Sequence, residues 1–324
     1  MTATKKLASF IDLAPVSNDF LSEVQAGLVS SPKTLPCKYF YDEQGSDLFQ
    51  QICALPEYYP TRTEIGLLND CAAEIASHVG ANCRLIEYGT GSSEKMRIVL
   101  NALDQPEDYI AVDISGEHLR HVTESLAQDL PNINVHAICA DFTKSFELPK
   151  AANASGGKAV AFFPGSSIGN FNHAQAIDFL SNLARTIGAG GGLVIGVDLK
   201  KDEKILNAAY DDSAGVTAAF NKNVLAHINR ELQGSFDLES FNHLAFYNSD
   251  LGRIEMHLVS NRDQTVIIGE KTFQFQQGER IHTENSYKYH VAEFQELAAK
   301  AGFNVVDVWT DTDQLFSVHY FEVA

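Results

Sequence analysis

Residues 84 to 95 read Arg84-Leu-Ile-Glu-Tyr-Gly-Thr-Gly-Ser-Ser-Glu-Lys95, a short apolar strand followed by a glycine turn and the start of a helix. Gly89 and Gly91 have no Cβ, so the backbone can turn sharply and a ligand can approach its amide groups. A dinucleotide-binding turn would have a third glycine, but this chain has Glu94 there, which disfavours NAD and FAD. The turn alone is equally typical of a structural connection between a strand and a helix.

The residues around the turn favour S-adenosylmethionine (SAM) as the cofactor. Glu87 gives an acid-x-Gly-x-Gly opening, which is typical of SAM sites, whose ligand has a cationic sulfonium and no phosphate. Asp113 ends the next apolar strand, where a doubly wound sheet places a carboxylate that accepts hydrogen bonds from ribose hydroxyls. Asp141 and Phe142 end a third strand and offer an acceptor for the adenine amine and an aromatic face for its ring. One acid at a strand end is usually a helix cap, whereas two on successive strands favour a binding site.

Strands and helices alternate up to about residue 200 and predict an α/β fold. Apolar strands that begin near residues 158 and 192 enclose a helix from about 174 to 187, so five strands alternate with helices in a mostly parallel sheet. A closing helix-strand-strand unit would complete a seven-stranded, Rossmann-like class I SAM-dependent methyltransferase sheet, its last strand antiparallel. Ligands are then expected at the carboxyl ends of the strands.

The alternation stops after residue 200, where a helical stretch and then several strand-like runs predict an additional α+β lobe that binds the substrate. We therefore expect four segments along the chain. They are a helical N-terminal arm that contributes to the substrate lobe (1–70), the SAM-binding Rossmann-like domain (71–200), the inserted substrate-binding lobe (201–289), and a C-terminal helix with strands that complete the sheet (290–324).

Composition restricts the classes of partner. The net charge is −18 and no block of five or six Lys or Arg occurs, which disfavours nucleic acid and favours a small-molecule substrate. Neither a signal peptide nor a membrane-spanning apolar run is apparent, so a cytoplasmic protein is expected. The five cysteines lack Cys-x-x-Cys spacing and the eleven histidines lack a His-Glu-x-x-His pattern, so we predict no catalytic metal. The sequence does not determine the oligomeric state and is compatible with a monomer.

Two further segments combine aromatic and polar residues. Residues 38–64 contain four tyrosines within a short distance, which suggests a pocket wall, although tyrosine in a loop is more often a packing residue. Residues 281–289 read Ile-His-Thr-Glu-Asn-Ser-Tyr-Lys-Tyr, and in an extended strand His282, Glu284, Ser286 and Lys288 would share one side. From the pattern alone, a solvated strand face is the simpler interpretation.

The chain resembles the SAM-dependent Nα-methyltransferases that trimethylate L-histidine to hercynine in ergothioneine biosynthesis. The resemblance covers nearly the whole length and consists of motifs that occur in the family's order. They are KYFYDEQGSDLF, LPEYYPTRTE, EYGTGSSEK, the Asp113 and Asp141-Phe142 positions, GSSIGN, AYDDSAGVTAAFNKNVL, RIEMHL and TENSYKY.

The resemblance implies a role for each matching residue. The positions that bind SAM are Tyr41, Gly89, Lys95, Asp113, Asp141 and Phe142. Tyr41 also lies close to the transferred methyl and the amine, and Asn170 orients the amine, so these two are the expected catalytic residues. Tyr58, Asn170 and Tyr210 hold the head of the amino acid. Glu284 and Ser286 read the imidazole, which Met256 flanks.

Two alternatives stay open at this point. Relatives of the family methylate other aromatic amino acids, although Glu284 with Ser286 favours histidine, because a carboxylate and a hydroxyl satisfy both imidazole nitrogens. The second alternative is a SAM-binding sensor without catalytic activity, and the full set of amino-acid contacts argues against it.

Overall fold

The computed structural model describes residues 7–13, 17–91, 93–144, 146–149 and 157–324. The chain divides into two compact units. The first comprises Met1–Ala14, Pro60–Leu199 and Tyr289–Ala324, and the second comprises Pro15–Tyr59 and Lys200–Lys288. No helix within the described residues is long and apolar enough to cross a membrane.

In chain order the helices and strands are β1 (Ser9–Asp12), α1 (Ser17–Val29), β2 (Lys33–Thr34), α2 (Glu43–Cys53), α3 (Tyr59–Val79), β3 (Arg84–Tyr88), α4 (Ser93–Ala102), β4 (Asp108–Asp113), α5 (Gly116–Asp129), β5 (Asn134–Cys139), β6 (Ala159–Phe163), α6 (His173–Ile187), β7 (Gly192–Asp198), α7 (Glu203–Tyr210), α8 (Val216–Leu232), β8 (Phe241–Asn248), β9 (Arg253–Ser260), β10 (Gln264–Ile268), β11 (Lys271–Phe275), β12 (Arg280–Tyr287), α9 (Val291–Lys300), β13 (Phe303–Thr310) and β14 (Phe316–Val323).

The first unit contains an eight-stranded sheet with the order β1-β5-β4-β3-β6-β7-β14-β13. Strands β1 to β7 in this sheet are parallel, and β14 is antiparallel to both of its neighbours. The central strands β3, β4, β6 and β7 are almost continuously apolar and buried, as expected of parallel strands that are covered on both faces. The predicted α/β fold with a mostly parallel sheet is confirmed, and so is its antiparallel last strand, but the sheet has eight strands and not the expected seven, because β1 adds to its edge.

The strand order reverses at β3. From β3 the chain adds β4 and then β5 on one side, and it returns to add β6 and β7 on the other. Such a reversal of strand order marks the carboxyl ends of β3 and β6 as the place where α/β sheets usually bind ligands. The glycine turn follows β3 directly and lies at this point.

The divisions between the units differ from the expected segments at the N-terminal side. The expected arm ended at residue 70, whereas the first unit begins again at Pro60, within α3. The arm also contains strand β1, which pairs in parallel with β5 and belongs to the first unit. This strand is four residues long and forms its hydrogen bonds with a strand more than 120 residues away, so no local pattern indicates it.

The second unit contains a four-stranded sheet with the order β2-β12-β9-β8 and a separate hairpin of β10 and β11. Strand β12 pairs with β9 along its length, but the register shifts between His282 and Glu284. His282 pairs with His257, whereas Glu284 pairs with Met256. Because directly paired residues point to the same face and successive residues of β9 point to opposite faces, this β-bulge places His282 and Glu284 on opposite faces of the sheet.

Two helical glycines provide a test of the packing in each unit. In α2, a Cβ at Gly45 would lie 1.7 Å from the carbonyl oxygen of Phe40, and in α3 a Cβ at Gly66 would meet no atom within 4 Å. Alanine favours a helix over glycine by about 1 kcal/mol at either position. We expect Gly66→Ala to stabilise the protein by up to this amount, and Gly45→Ala to lower the free energy of unfolding by roughly 1–3 kcal/mol, since overpacking outweighs helix propensity. Denaturant unfolding of both variants measures this, and stabilisation by Gly45→Ala would contradict the packing described for α2.

Candidate active site

The glycine turn after β3 is fixed by the carboxylate of Asp113, at the end of β4. Oδ2 of Asp113 accepts hydrogen bonds from the backbone N–H of Thr90 at 2.8 Å and from its hydroxyl at 3.0 Å, and Oδ1 accepts one from the N–H of Ser115 at 2.9 Å. Burial raises the pKa of Asp113, against these hydrogen bonds. A carboxylate has about four acceptor sites, so Asp113, which uses three of them, can hold the turn and still accept one ribose hydroxyl.

Gly89 adopts a left-handed conformation, with φ of +81°. A Cβ at this position would meet no protein atom within 4 Å, so crowding by the protein does not require glycine here. Glycine is favoured because of the left-handed backbone conformation. Its N–H donates to the carbonyl of Val112 at 2.8 Å, which ties the turn to β4.

Burial raises the pKa of Glu87 to about 8. The carboxyl group of Glu87 is fully enclosed and accepts a hydrogen bond from the hydroxyl of Tyr109, on the adjacent strand β4. The acid of the sequence motif is therefore engaged inside the sheet.

Asp141 and Phe142 follow β5, two strands from the glycine turn. Oδ1 of Asp141 accepts from the N–H of Thr143 at 3.1 Å and from its hydroxyl at 2.5 Å. The ring of Phe142 meets those of Phe163 and Tyr88 edge to face, with centroids 5.8 Å and 6.2 Å apart. Strands β3, β4 and β5 are neighbours, so the turn, Asp113 and Asp141 occupy three successive carboxyl ends that span about 10 Å.

Lys95, in the first turn of α4, forms an ion pair with Glu64 of α3, with 2.5 Å between Nζ and Oε2. Glu64 is 1% exposed and also accepts the N–H of Gly165, in the loop after β6, at 2.9 Å. A Cβ at Gly196 would lie 2.0 Å from Oε1 of Glu64, so a bare backbone in β7 leaves room for the carboxylate. Sequence reasoning missed this role of Glu64, although the quoted motif LPEYYPTRTE ends on it.

Asn170 ends a short 3-10 helix, Ser167–Asn170, that follows this loop. Gly165 and Ser166 both have positive φ, and the Ser166 hydroxyl accepts the N–H of Asp198 at 2.9 Å, which fixes the loop to β7. Asn170 is half-buried, and within the described part of the chain its side-chain amide has no hydrogen-bond partner. It lies in the first unit together with Gly89, Lys95, Asp113, Asp141 and Phe142.

Glu284, on strand β12 of the second unit, is the residue that the resemblance assigns to the imidazole of the substrate. It is 9% exposed, and none of the described residues donates a hydrogen bond to its carboxylate. Burial raises its pKa to about 7, and the charge of Lys288 opposes this rise. Met256, directly opposite in the register, is fully buried on the same face.

The expectation that four alternating residues of this strand share one side is wrong for His282. The bulge inserts Thr283, whose hydroxyl lies 2.7 Å from Oδ1 of Asn221 and 3.0 Å from the carbonyl of Met256. His282 therefore stacks on His257 on the opposite face, with ring centroids 4.8 Å apart, while Glu284 and Ser286 stay together. The expectation of a solvated face is also wrong, since Glu284, Ser286 and Lys288 are all buried.

Ser286 is hydrogen-bonded to Tyr210 and Lys288. The hydroxyl of Tyr210 donates to Oγ of Ser286 at 2.8 Å, and Nζ of Lys288 lies 2.8 Å from the same oxygen and 3.0 Å from the phenol oxygen of Tyr210. The resemblance placed Tyr210 on the head of the amino acid, and in the structure its hydroxyl faces Ser286.

Tyr41 and Tyr58 also lie in the second unit, where their rings contact other aromatic rings. Tyr41 meets Phe49 and Phe220 edge to face, each at 5.7 Å between centroids, and Tyr58 meets Tyr210 at 6.2 Å. Burial raises the pKa of both phenols well above the usual range, and the negative charge of Glu284 adds to the effect for Tyr41. Both hydroxyls therefore stay protonated at neutral pH.

One grouping within the described residues has the composition of a metal site. Ligand atoms of Glu255, His257 and His282 all lie within 4.8 Å of one another. His257 Nε2 lies 3.1 Å from Glu255, Arg253 donates to Glu255 at 2.7 Å, and His282 Nε2 lies 3.0 Å from the carbonyl of Glu284, whereas Nδ1 of His257 is buried and has no hydrogen-bond partner among the described residues. The absence of a catalytic metal stays a prediction.

Comparisons with known proteins agree with the resemblance found in the sequence. The sequence model of a family described as histidine-specific, SAM-dependent methyltransferases matches residues 20–323. The histidine N-alpha-methyltransferase of Mycolicibacterium smegmatis is 42% identical over 313 residues, which cover 95% of this chain and 96% of that protein. The protein of the same name from Mycobacterium tuberculosis is 40% identical over 89% of this chain and 90% of its own length. Ergothioneine biosynthesis protein 1 of Neurospora crassa is 31% identical over 86% of this chain and 32% of its own length.

The raised pKa of Glu284 predicts how stability depends on pH. The folded protein keeps this carboxyl protonated up to about pH 7, whereas the unfolded chain loses the proton near pH 4.5, so the contribution of Glu284 to stability falls as pH rises through this window. Glu284→Gln removes this dependence. We expect the melting temperature of Glu284→Gln, relative to the unsubstituted protein, to rise by a few degrees between pH 5 and pH 8.

Thermal unfolding at both pH values measures this difference. Glu239→Gln, at an exposed position of the same unit, is the matched control and should show no such change. A Glu284→Gln variant whose relative melting temperature is the same at pH 5 and pH 8 would contradict the raised pKa.

Proposed function

We propose that this chain, which belongs to the family of histidine-specific, SAM-dependent methyltransferases, transfers three methyl groups in succession to the α-amine of L-histidine and so produces hercynine. The observation that carries the proposal is the buried Glu284 carboxylate, which no described residue pairs by a hydrogen bond and which shares a strand face with the Ser286 hydroxyl. A buried carboxylate is costly without a donor, so the arrangement favours a ligand that supplies one.

Imidazole is the amino-acid side chain that fits this pair. A neutral imidazole has one N–H donor and one acceptor nitrogen, which Glu284 and Ser286 can satisfy together. Met256, buried on the same face as Glu284, provides apolar contact for the ring. Phenylalanine or leucine would leave the carboxylate buried and unpaired, and sites of this kind reject such analogues strongly.

The head of the amino acid is assigned to Tyr58, Asn170 and Tyr210. The hydroxyl of Tyr58 stays protonated and can donate to a carboxylate, and the unpaired amide of Asn170 can accept from the amine and orient its lone pair. The hydrogen of the Tyr210 hydroxyl goes to Ser286, so its phenol oxygen can only accept from the amine. We assign Tyr41 to the region of the reacting amine, where its ring face would attract the cationic product by cation–π interaction of the order of 0.5–2 kcal/mol.

Several residues of the first unit support the assignment of SAM to this unit. Gly89 permits the sharp turn, Asp113 has one acceptor site left for a ribose hydroxyl, and Asp141 and Phe142 lie two strands away for adenine. Lys95 is assigned to SAM by the resemblance, and its ammonium is paired with the buried carboxylate of Glu64. Bound SAM supplies an electrophilic methyl group on a sulfonium.

Catalysis then depends on alignment. The neutral α-amine would attack the methyl carbon of SAM, the N–C bond would form as the methyl C–S bond breaks, and S-adenosylhomocysteine would leave with the electron pair, so no covalent intermediate with the enzyme is required. Positioning residues such as Asn170 therefore contribute more than a strong base does. The amine loses a proton before each transfer, and after the third it is quaternary and has no lone pair, so the chemistry itself ends the series.

The product and the setting follow from the same proposal. The name of the Neurospora crassa relative supports a role for this product in ergothioneine biosynthesis. A free amino acid as the substrate agrees with the net charge of −18, which disfavours nucleic acid, and we place the enzyme in the cytoplasm.

The reaction can be tested by incubating the purified protein with SAM and each of a panel of amino acids, followed by mass spectrometry. We expect mono-, di- and trimethylated histidine to appear in order, and the trimethylated form to accumulate without further methylation. Preference for tryptophan or tyrosine would contradict the assignment of histidine, and SAM binding without product from any amino acid would favour a sensor.

Replacement of Glu284 tests the imidazole contact. Because Glu284→Ala removes a charged hydrogen-bond acceptor from the substrate, we expect the KM for histidine to rise about 10- to 100-fold while the KM for SAM changes little. Steady-state kinetics with each substrate varied in turn measure both values, with the exposed-site variant Glu239→Ala as the control. Equal effects on the two KM values would contradict the role of Glu284.

A further inference from the structure

We propose that Lys288 is a specificity-determining residue that forces the Ser286 hydroxyl to donate, so that the pocket selects the neutral form of the imidazole. The inference rests on the proposed function and deepens it. Neither the sequence motifs nor the resemblance assigned a role to this lysine.

Lys288 is an interior residue of the second unit. It follows β12 directly, is 1% exposed, and its backbone N–H donates to the carbonyl of Gly252 at 2.9 Å, which holds the residue in place. Its Nζ lies 2.8 Å from Oγ of Ser286, 3.0 Å from the phenol oxygen of Tyr210, and 4.7 Å from the centroid of the Tyr210 ring.

The directions of these hydrogen bonds follow from the chemistry of the three groups. An ammonium has donors and no acceptor, so Lys288 donates to both oxygens. The phenol of Tyr210 is more acidic than an aliphatic hydroxyl, and in the structure it donates to Oγ of Ser286. Oγ therefore accepts two hydrogen bonds from the protein, and the Ser286 hydrogen is left for a third partner. A third partner of Ser286 must be an acceptor.

This direction complements Glu284. The carboxylate can only accept, so the two groups together present one acceptor and one donor, which matches a neutral imidazole with its N–H towards Glu284 and its lone pair towards Ser286. An imidazolium would place an N–H against the hydroxyl hydrogen of Ser286, and an indole has a donor but no acceptor nitrogen. A serine free to rotate could accept as well as donate and would not discriminate in this way.

The charge of Lys288 also acts on Glu284, and it favours the same arrangement of hydrogen bonds. It opposes the effect of burial on the pKa of Glu284 and so favours the ionised carboxylate that accepts the imidazole N–H. Both effects of the lysine thus favour one arrangement of protons in the pocket.

A double-mutant cycle between Lys288 and Ser286 tests the inference, with histidine methylation as the assay. We expect Lys288→Met, which keeps the length of the side chain and removes its donors, to raise the KM for histidine roughly five- to tenfold while kcat and the KM for SAM change less than about twofold. Ser286→Ala should have a similar effect, and the effect of the double variant should fall well short of the product of the two single effects, because the lysine acts mainly through the serine and only its charge acts directly on Glu284. Lys204→Met, at an exposed position of the second unit, is the matched control and should leave all values unchanged.

Lys288→Gln separates hydrogen-bond donation from charge. It keeps an N–H donor without the charge, so it should raise the KM for histidine less than Lys288→Met does, and it provides the comparison with Ser286→Ala if the methionine variant does not fold. An unchanged KM in Lys288→Met, multiplication of the two single effects in the double variant, or a larger effect of glutamine than of methionine would each overturn the inference. A wild-type protein that does not methylate histidine would instead contradict the proposed function.

Discussion

The β-bulge at Thr283 is the constraint on which the proposed substrate recognition depends. Without it, the period of a strand would place His282 on the same face as Glu284 and Ser286. One inserted residue moves His282 to the other face, where it stacks on His257, and leaves Glu284 beside buried Met256. The hydroxyl of Thr283 and Nε2 of His282 both form hydrogen bonds at this point, so the bulge is fixed by specific contacts. Bulges often aim side chains at functional sites in this way.

The two units use different means to position their polar groups. In the first, the sheet topology does most of the work, since three neighbouring parallel strands end at the glycine turn, Asp113 and Asp141. In the second, a β-bulge places the Glu284 carboxylate beside the Ser286 hydroxyl, and buried Tyr210 and Lys288 hold that hydroxyl by hydrogen bonds. Hydrogen bonds in such an enclosed environment are strong, and leaving one group unpaired is correspondingly costly.

The sequence was sufficient to predict features that depend on short spacings. The α/β fold, the glycine turn and Asp113 all follow from motifs within one or two elements, and the structure has them in the expected places. The bulge could not be predicted because it depends on how two separate strands pair. The ion pair of Glu64 with Lys95 joins helices that are distant in the sequence. The role of Lys288 depends on its hydrogen bond to Tyr210, more than 70 residues earlier in the chain. Contacts of this kind are set by tertiary packing and have no local signature.

The close approach of Glu64 to Gly196 restricts what evolution can do at both positions. The carboxylate cannot simply move aside for a larger residue, because it is held by Lys95 on one side and by the Gly165 amide on the other. Any side chain at position 196 would occupy the volume that this carboxylate fills. A larger residue at position 196 therefore requires a shorter side chain at position 64, whereas Glu64 can be shortened without any change at Gly196.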